Sequence, residues 1–210
     1  QDFTVDECQA KASNSDFTVI DIRDGNDYTV RYIEGDCWMT QNLRLAGGTT
    51  LTSSDSDVRS TYTLPTTDFS GTPPTVPVIQ PELAYSGNTT TGYWYNACAV
   101  SAGNACDPNV AGGLDYSSIC PAGWKIPSQS KAGLLTHPSS LSAFSPVTGG
   151  YIQNGPLYDP LNSGGWWTWN PAGQNQYLVA LYTSYNNRID IVTESDNRRF
   201  GYYVRCIRSN

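Results

Sequence analysis

The sequence predicts an α+β fold of short antiparallel strands with one or two helices. Two observations carry that prediction. Stretches of alternating apolar and polar residues recur along the chain between Gly, Asn and Asp, the pattern of half-buried strands separated by turns. Only one window, residues 128 to 144, combines a helix start signal with apolar residues that can face a core. Composition agrees, because 14 Tyr, 6 Trp and 19 Gly with only 15% charged residues is a turn-rich, β-rich balance. A chain of this length buries roughly 70% of its unfolded surface, enough for a real core. Residues 1–210 are read as one domain, with 46–88 as a long Thr/Pro/Ser-rich excursion or insertion lying against it.

The elements follow in order. Residues 1–16 mix acids, Ser and Asn around Cys8 and leave room for a short helical turn. Next comes a meander: Phe17 to Ile22 alternates, Asp24-Gly25 turns, Tyr28 to Ile33 alternates, Gly35 turns, and Cys37 to Leu43 returns. Within 46–88, Val58, Tyr62, Leu64, Phe69, Val76, Val78 and Ile79 are apolar enough to pack. Residues 91–100 read as an aromatic strand running into a disulfide loop. Ser128 is a candidate N-cap, Leu134, Leu135 and Leu141 are candidate core contacts, and Pro138 breaks or restarts the helix. The stretches GGWWTWN, QYLVALYTSY, RIDIVTES and FGYYVRCIRS read as strands again.

Six cysteines without a CxxC pair, and a single distant His137, argue against zinc and for disulfides. Of the 15 possible connectivities, spacing favours Cys98 with Cys106, Cys8 with Cys37, and Cys120 with Cys206. Such links imply an oxidising, extracellular or cell-surface setting.

A net charge of −7 disfavours nucleic acid as a partner, since that binding needs Lys and Arg on phosphates. No run reads as a membrane insertion; the long uncharged stretch 166–187 is interrupted by Pro171. His137 reads as a surface or helix-end residue, and no catalytic constellation is nominated. No cofactor is expected. A structural calcium is left open without a nominated site: 53–57, 106–109 and 193–197 carry suitable oxygens, and 21–27 does too, although its alternating flanks favour a hairpin turn.

Trp38, Trp94, Trp124 and Trp166 are assigned to the core, because a Trp ring buries a large area and its N–H needs one partner. Adjacent strand residues point to opposite faces, so Trp167 or Trp169 is expected to face outward. Tyr with Asn forms adaptable binding surfaces. On that ground a ligand patch is assigned to Trp169, Asn170, Gln174, Asn175, Tyr177, Tyr185, Asn186, Asn187, Arg188, Asn197 and Arg198, for a cell-surface glycan or a protein.

Five stretches in order, DIRDGNDYTVRYIEGDCWMTQNLRL, GYWYNACAVSAG, SICPAGWKIPS, GGWWTWN and GYYVRCIR, resemble the Fibrobacter succinogenes major paralogous domain family over residues 17 to 208. The resemblance implies a secreted or surface-displayed bacterial domain, similar in fold to C-type-lectin-like and formylglycine-generating-enzyme-like proteins. The copper redox chemistry of the latter is not expected, because it needs a reactive cysteine pair and the favoured connectivity assigns every cysteine to a disulfide. The expectation is a noncatalytic binding or adhesion module. One alternative is a subunit of an extracellular filament or surface layer, self-associating through 65–88. Another is a diversified lectin-fold receptor-binding protein, suggested by the Asn/Tyr-rich C-terminal region.

Overall fold

The computed structural model describes residues 5–12, 15–66, 85–88, 91–104, 117–152, 157–169, 177–194 and 200–209. Helix α1 (Val5–Ala12) is followed by the predicted meander, β1 (Phe17–Ile20), β2 (Asp27–Ile33) and β3 (Asp36–Met39). All three strands pair antiparallel. The second connection is the tight one: Ile33 faces Asp36 across Glu34 and Gly35, both at positive φ, as a two-residue hairpin turn needs. The first connection, although it carries the Asp24-Gly25 signal, is a longer loop closed by Asp21 N–H to Asn26 O at 2.8 Å.

The excursion after residue 46 contributes to the core as far as it is described. Strands β4 (Thr50–Leu51) and β5 (Tyr62–Thr63) form a small hairpin, and Leu51, Val58 and Leu64 are buried. Residues 55–57 are tied to 118–122 by backbone bonds, including Asp57 N–H to Cys120 O at 2.9 Å. Residues 67–84, with Phe69, Val76, Val78 and Ile79, lie outside the described residues.

Strands β6 (Tyr85–Asn88) and β7 (Gly92–Tyr95) pair, and Asn96 caps the short α2 (Ala97–Val100) by accepting from Ala99 N–H at 2.9 Å. The helical window is split. Ser128 caps α3 (Gln129–Gly133) through Lys131 N–H, a 3-10 turn spans Leu134–Thr136, and Pro138 starts α4 (Pro138–Phe144) at its first position. Leu135 and Leu141 are buried, whereas Leu134 is half-buried. Strands β8 (Tyr151–Ile152) and β9 (Leu157–Tyr158) precede a three-stranded antiparallel sheet of β10 (Ser163–Thr168), β11 (Tyr177–Thr183) and β12 (Arg188–Glu194).

The last stretch departs from the expected strand. Only β13 (Ile207–Arg208) is regular, pairing with β3 as the fourth strand of the first sheet. Before it, Gly201, Tyr202 and Tyr203 make single bridges to Ile152, Tyr95 and Trp166. The segment changes partner at each residue because it threads between β8, β7 and β10, and so joins the two sheets.

Alternation along these strands sends side chains into two separate apolar clusters. Cys37, Met39, Trp167, Val179, Tyr202 and Val204 enter one cluster, and Trp38, Trp166, Ala180, Tyr203 and Ile207 enter the other with Leu135, Leu141 and Phe144. Both faces of β10 are therefore covered, and Trp166 and Trp167 are both buried, at 2% and 0% exposure. This corrects the expectation that one of the later tryptophans faces solvent: Trp169 too is half-buried against the core. Trp38, Trp94 and Trp124 are also buried. The two glycines before the Trp pair are needed for this packing. A Cβ on Gly164 would meet Val147 O at 2.2 Å, and one on Gly165 the Tyr202 ring at 2.5 Å.

Among the described residues two disulfides are present, Cys8–Cys37 and Cys120–Cys206. Cys98 is buried in α2, and its expected partner Cys106 lies outside the described residues. Among the described residues no helix is long and apolar enough to cross a membrane.

Candidate functional site

The described members of the predicted ligand patch fall at two ends of the β10–β12 sheet. Trp169 follows Thr168, which faces Leu178, and Tyr177 faces Glu194 at that same end. Tyr185, Asn186 and Asn187 form the turn at the other end, beyond the pair Thr183–Arg188. Six residue steps along β11 separate the ends by about 20 Å. A single contiguous patch is thus not formed by these residues, because the sequence brings them near one another only along the chain. Asn170, Gln174, Asn175, Asn197 and Arg198 lie outside the described residues, as does the Tyr177 side chain.

Trp169 also has a structural task. Its N–H donates to Pro127 O at 3.0 Å and its carbonyl accepts from Gln129 N–H at 2.9 Å, fixing the entry to α3.

The opposite end presents side chains to solvent. Tyr185 is 79% exposed at the tip of the β11–β12 hairpin, with Asn186, Asn187 and Arg188 also exposed. The tip is held: Tyr182 O–H donates to Asn187 Oδ1 at 3.2 Å, and Arg188 Nε to Asp190 Oδ1 at 2.7 Å. The hydrogen bond and charge of the Asp190 carboxylate raise the Arg188 pKa. Asn187 takes φ +46°, a left-handed turn conformation that Asn tolerates well. Ser184 N–H donates to Asn162 O at 2.8 Å, placing the tip beside the loop that carries Leu161, 81% exposed. Tyr158 and Leu157, also exposed, precede that loop.

Two of the cavities lined by described residues lie elsewhere. One, of about 200 Å³, is lined by Val19, Ile20, Asp21, Ile22, Tyr28, Met39, Ser54, Asp55, Pro121, Ala122 and Trp124. Its acids are already engaged. Asp21 makes a buried 2.6 Å ion pair with Arg23, whose Nη1 also reaches Ser56 Oγ and Ile119 O. Partial desolvation pushes Asp55 up, but donors from Ser56 and Thr52 hold its carboxyl below the usual carboxylate range. Tyr28 lies well above the ordinary phenol value because of burial.

The second cavity, of about 190 Å³, is lined by Thr40, Gln41, Asn42, Arg44, Thr91, Val147 and Arg205. Its base is a buried polar node absent from the sequence reading. Asn42 Oδ1 accepts from both Trp166 Nε1 (2.7 Å) and Arg205 Nε (2.8 Å), while Asn42 Nδ2 donates to Thr91 O at 2.7 Å. Arg205 is 1% exposed. Its other nitrogens reach Phe144 O and Ser145 O at the C-terminus of α4, the negative end of that helix. The guanidinium lies over the Phe144 and Trp166 rings at 4.3 and 5.0 Å. Burial lowers its pKa to about 9, so it remains a cation at neutral pH. One signal did point here: a charged residue between Val204 and Cys206, both buried, is costly unless it is fully bonded. Nothing in TQNLRL marks Asn42 as its partner.

His137 is exposed and precedes α4 without a side-chain cap bond. Among the described residues no group of three or more His, Cys, Asp or Glu is placed to hold a metal ion. In 21–27 Asp21 serves Arg23 and Asp24 accepts from Asn26; in 53–57 Asp55 closes a turn with Thr52. Residues 106–109 and 195–197 lie outside the described residues.

Comparisons of the chain with protein-family models, with curated proteins and with solved structures give no match.

Proposed function

We propose that this chain is a noncatalytic extracellular binding or adhesion module of a bacterial surface or secreted protein, with a glycan or protein as ligand. In this reading it is a C-type-lectin-like member of the Fibrobacter succinogenes major paralogous domain family. The observation that carries the binding role is the β11–β12 tip. Tyr185, 79% exposed, stands with Asn186, Asn187 and Arg188 on a hairpin fixed by Tyr182 and Asp190. A rigid exposed aromatic surrounded by amides gives contact area and hydrogen bonds at little ordering cost. The family reading is supported by the order of its five motifs and by the use of two of them: Cys120 is linked to Cys206, and Trp124 is buried beside them.

The test is glycan-array and cell-adhesion binding of the nonreduced protein beside its Tyr185→Ala variant. Specific binding that drops at least about tenfold in the variant, or about 1.4 kcal/mol, is expected. Binding that ignores Tyr185 would sink this assignment of the site.

One observation favours a second reading, a subunit of an extracellular filament or surface layer. Leu157, Tyr158, Leu161 and Tyr185 make up four of the six large exposed apolar residues among those described, and Leu161 and Tyr185 flank one inter-loop hydrogen bond. Apolar side chains grouped at one end suit contact with another copy. Size-exclusion chromatography with light scattering separates the readings, since a monomer at all concentrations excludes the filament subunit.

A further inference from the structure

The cavity that contains Arg205 has a chemistry unlike the rest of the molecule. The chain carries a net charge of −7, yet two guanidiniums and no carboxylate line this cavity. Arg205 has no ion pair among the described residues; its hydrogen bonds go to Asn42 and to the Phe144 and Ser145 carbonyls, all neutral. A helix C-terminus and two ring faces offset part of this buried charge, but no formal counter-charge stands against it, and an anion would supply one. Arg44 adds a second cation from the surface side, where its Nη2 donates to Asp27 O, its guanidinium lies over the Tyr28 ring at 5.1 Å and the Asp27 carboxylate stands at 3.8 Å.

The remaining lining narrows the ligand. Gln41 uses its carbonyl oxygen to accept from Thr29 N–H at 2.8 Å, which leaves its NH₂ as a donor. Asn42 is taken up by Trp166, Arg205 and Thr91, and the Thr40 hydroxyl donates to Thr29 O, so the threonine hydroxyls face the cavity as acceptors; Val147 is the one apolar lining residue. Such a lining suits a hydroxylated ligand rather than an apolar acid. At about 190 Å³ the cavity has room for a ligand the size of one six-membered sugar ring.

We propose that the cavity between Arg44 and Arg205 binds a sugar acid of hexuronate size, its carboxylate directed to the two guanidiniums and its hydroxyls to Gln41 and Thr91. The site is separate from the Tyr185 tip and does not depend on it. It would let the module discriminate acidic from neutral saccharides.

The test follows the arginine Nε–H signals of the nitrogen-labelled full chain by NMR. The protein is titrated with glucuronate, glucose and sulfate at constant ionic strength. A saturable shift of the Arg205 Nε–H signal with glucuronate, and none with glucose, is expected. Arg44→Gln should weaken glucuronate binding about tenfold, as loss of one charge-assisted partner does. Val147→Phe, which fills the cavity while keeping both charges, should abolish the shift, and thermal unfolding of both variants checks that they fold. The proposal is overturned by an equal response to glucose, by no response of Arg205 to glucuronate, or by undiminished binding in folded Val147→Phe. A sulfate response as strong as that to glucuronate overturns the assignment to a sugar acid. Tyr185→Ala should leave the glucuronate response unchanged, so loss of the tip's ligand and loss of this one are read separately.

Discussion

Asn42 holds together two groups that cannot otherwise be buried. One oxygen accepts from an indole and a guanidinium, and its amide donates to the backbone beside β7. Removing the side chain strands two buried donors, each costing about 1–3 kcal/mol. Asn42→Ala should therefore lower unfolding free energy by about 3 kcal/mol or more in urea titrations. Asn42→Asp keeps the acceptor and gives Arg205 a counter-charge, so it should cost less than Ala; a larger loss would show that the Thr91 contact dominates the node. Asp57 offers a pH-dependent case. Burial raises its pKa, with the Ser118 hydroxyl opposing the shift. A carboxyl raised in the folded state favours folding most below its unfolded pKa, and that contribution is lost as pH rises through the folded value. The stability of Asp57→Asn relative to the parent should thus improve between acid and neutral pH, measured by urea unfolding at a series of pH values.

At the scale of elements, space and backbone conformation decide what a glycine is for. Gly133 ends α3 in ordinary helical geometry, and a Cβ there meets nothing within 4 Å. Gly133→Ala should raise stability by about 0.5–1 kcal/mol through lower unfolded-state entropy. Gly164 is the opposite case, because its Cβ would strike the Val147 carbonyl at 2.2 Å. Gly164→Ala should cost about 2–4 kcal/mol, since backbone cannot swing away as a flexible side chain can. Paired melting curves of the two variants check the contrast in sign. Ser128→Ala removes the acceptor for Lys131 N–H and should cost about 1 kcal/mol in the same assay. Strand and helix positions were legible at this scale because period two and a Ser cap before Pro-punctuated apolar residues are local signals. The final stretch was not legible as irregular. Tyr202 and Tyr203 look like strand residues, and only their change of neighbours breaks the ladder.

For the whole molecule, the Cys120–Cys206 link closes 86 residues and joins the turn before α3 to the C-terminal segment, whereas Cys8–Cys37 closes 29. In the chain-entropy picture these closures contribute about 4–5 and 3–4 kcal/mol. Replacing both cysteines of the longer link by Ser should therefore cost more than the same change in the shorter one, as nonreducing urea titrations will show. Equal losses would mean that chain entropy is not what separates them. The candidate site divides similarly by scale. Tyr185 and its Asn neighbours were legible as a surface from composition alone, while the separation from Trp169 by the length of β11 was not.

The sequence by itself determined the strands of the N-terminal meander and the split helical window with its Ser128 cap, and its cysteine spacing favoured, among 15 connectivities, the links Cys8–Cys37 and Cys120–Cys206. The strands and the cap depend on residues whose preference is local. Only the tertiary structure decided that both Trp166 and Trp167 are covered, that Arg205 meets Asn42 across 163 residues, and that the aromatic-amide residues divide between two ends of one sheet. Alternation fixes which face a side chain takes, but what covers that face comes from distant chain, and no local pattern encodes it.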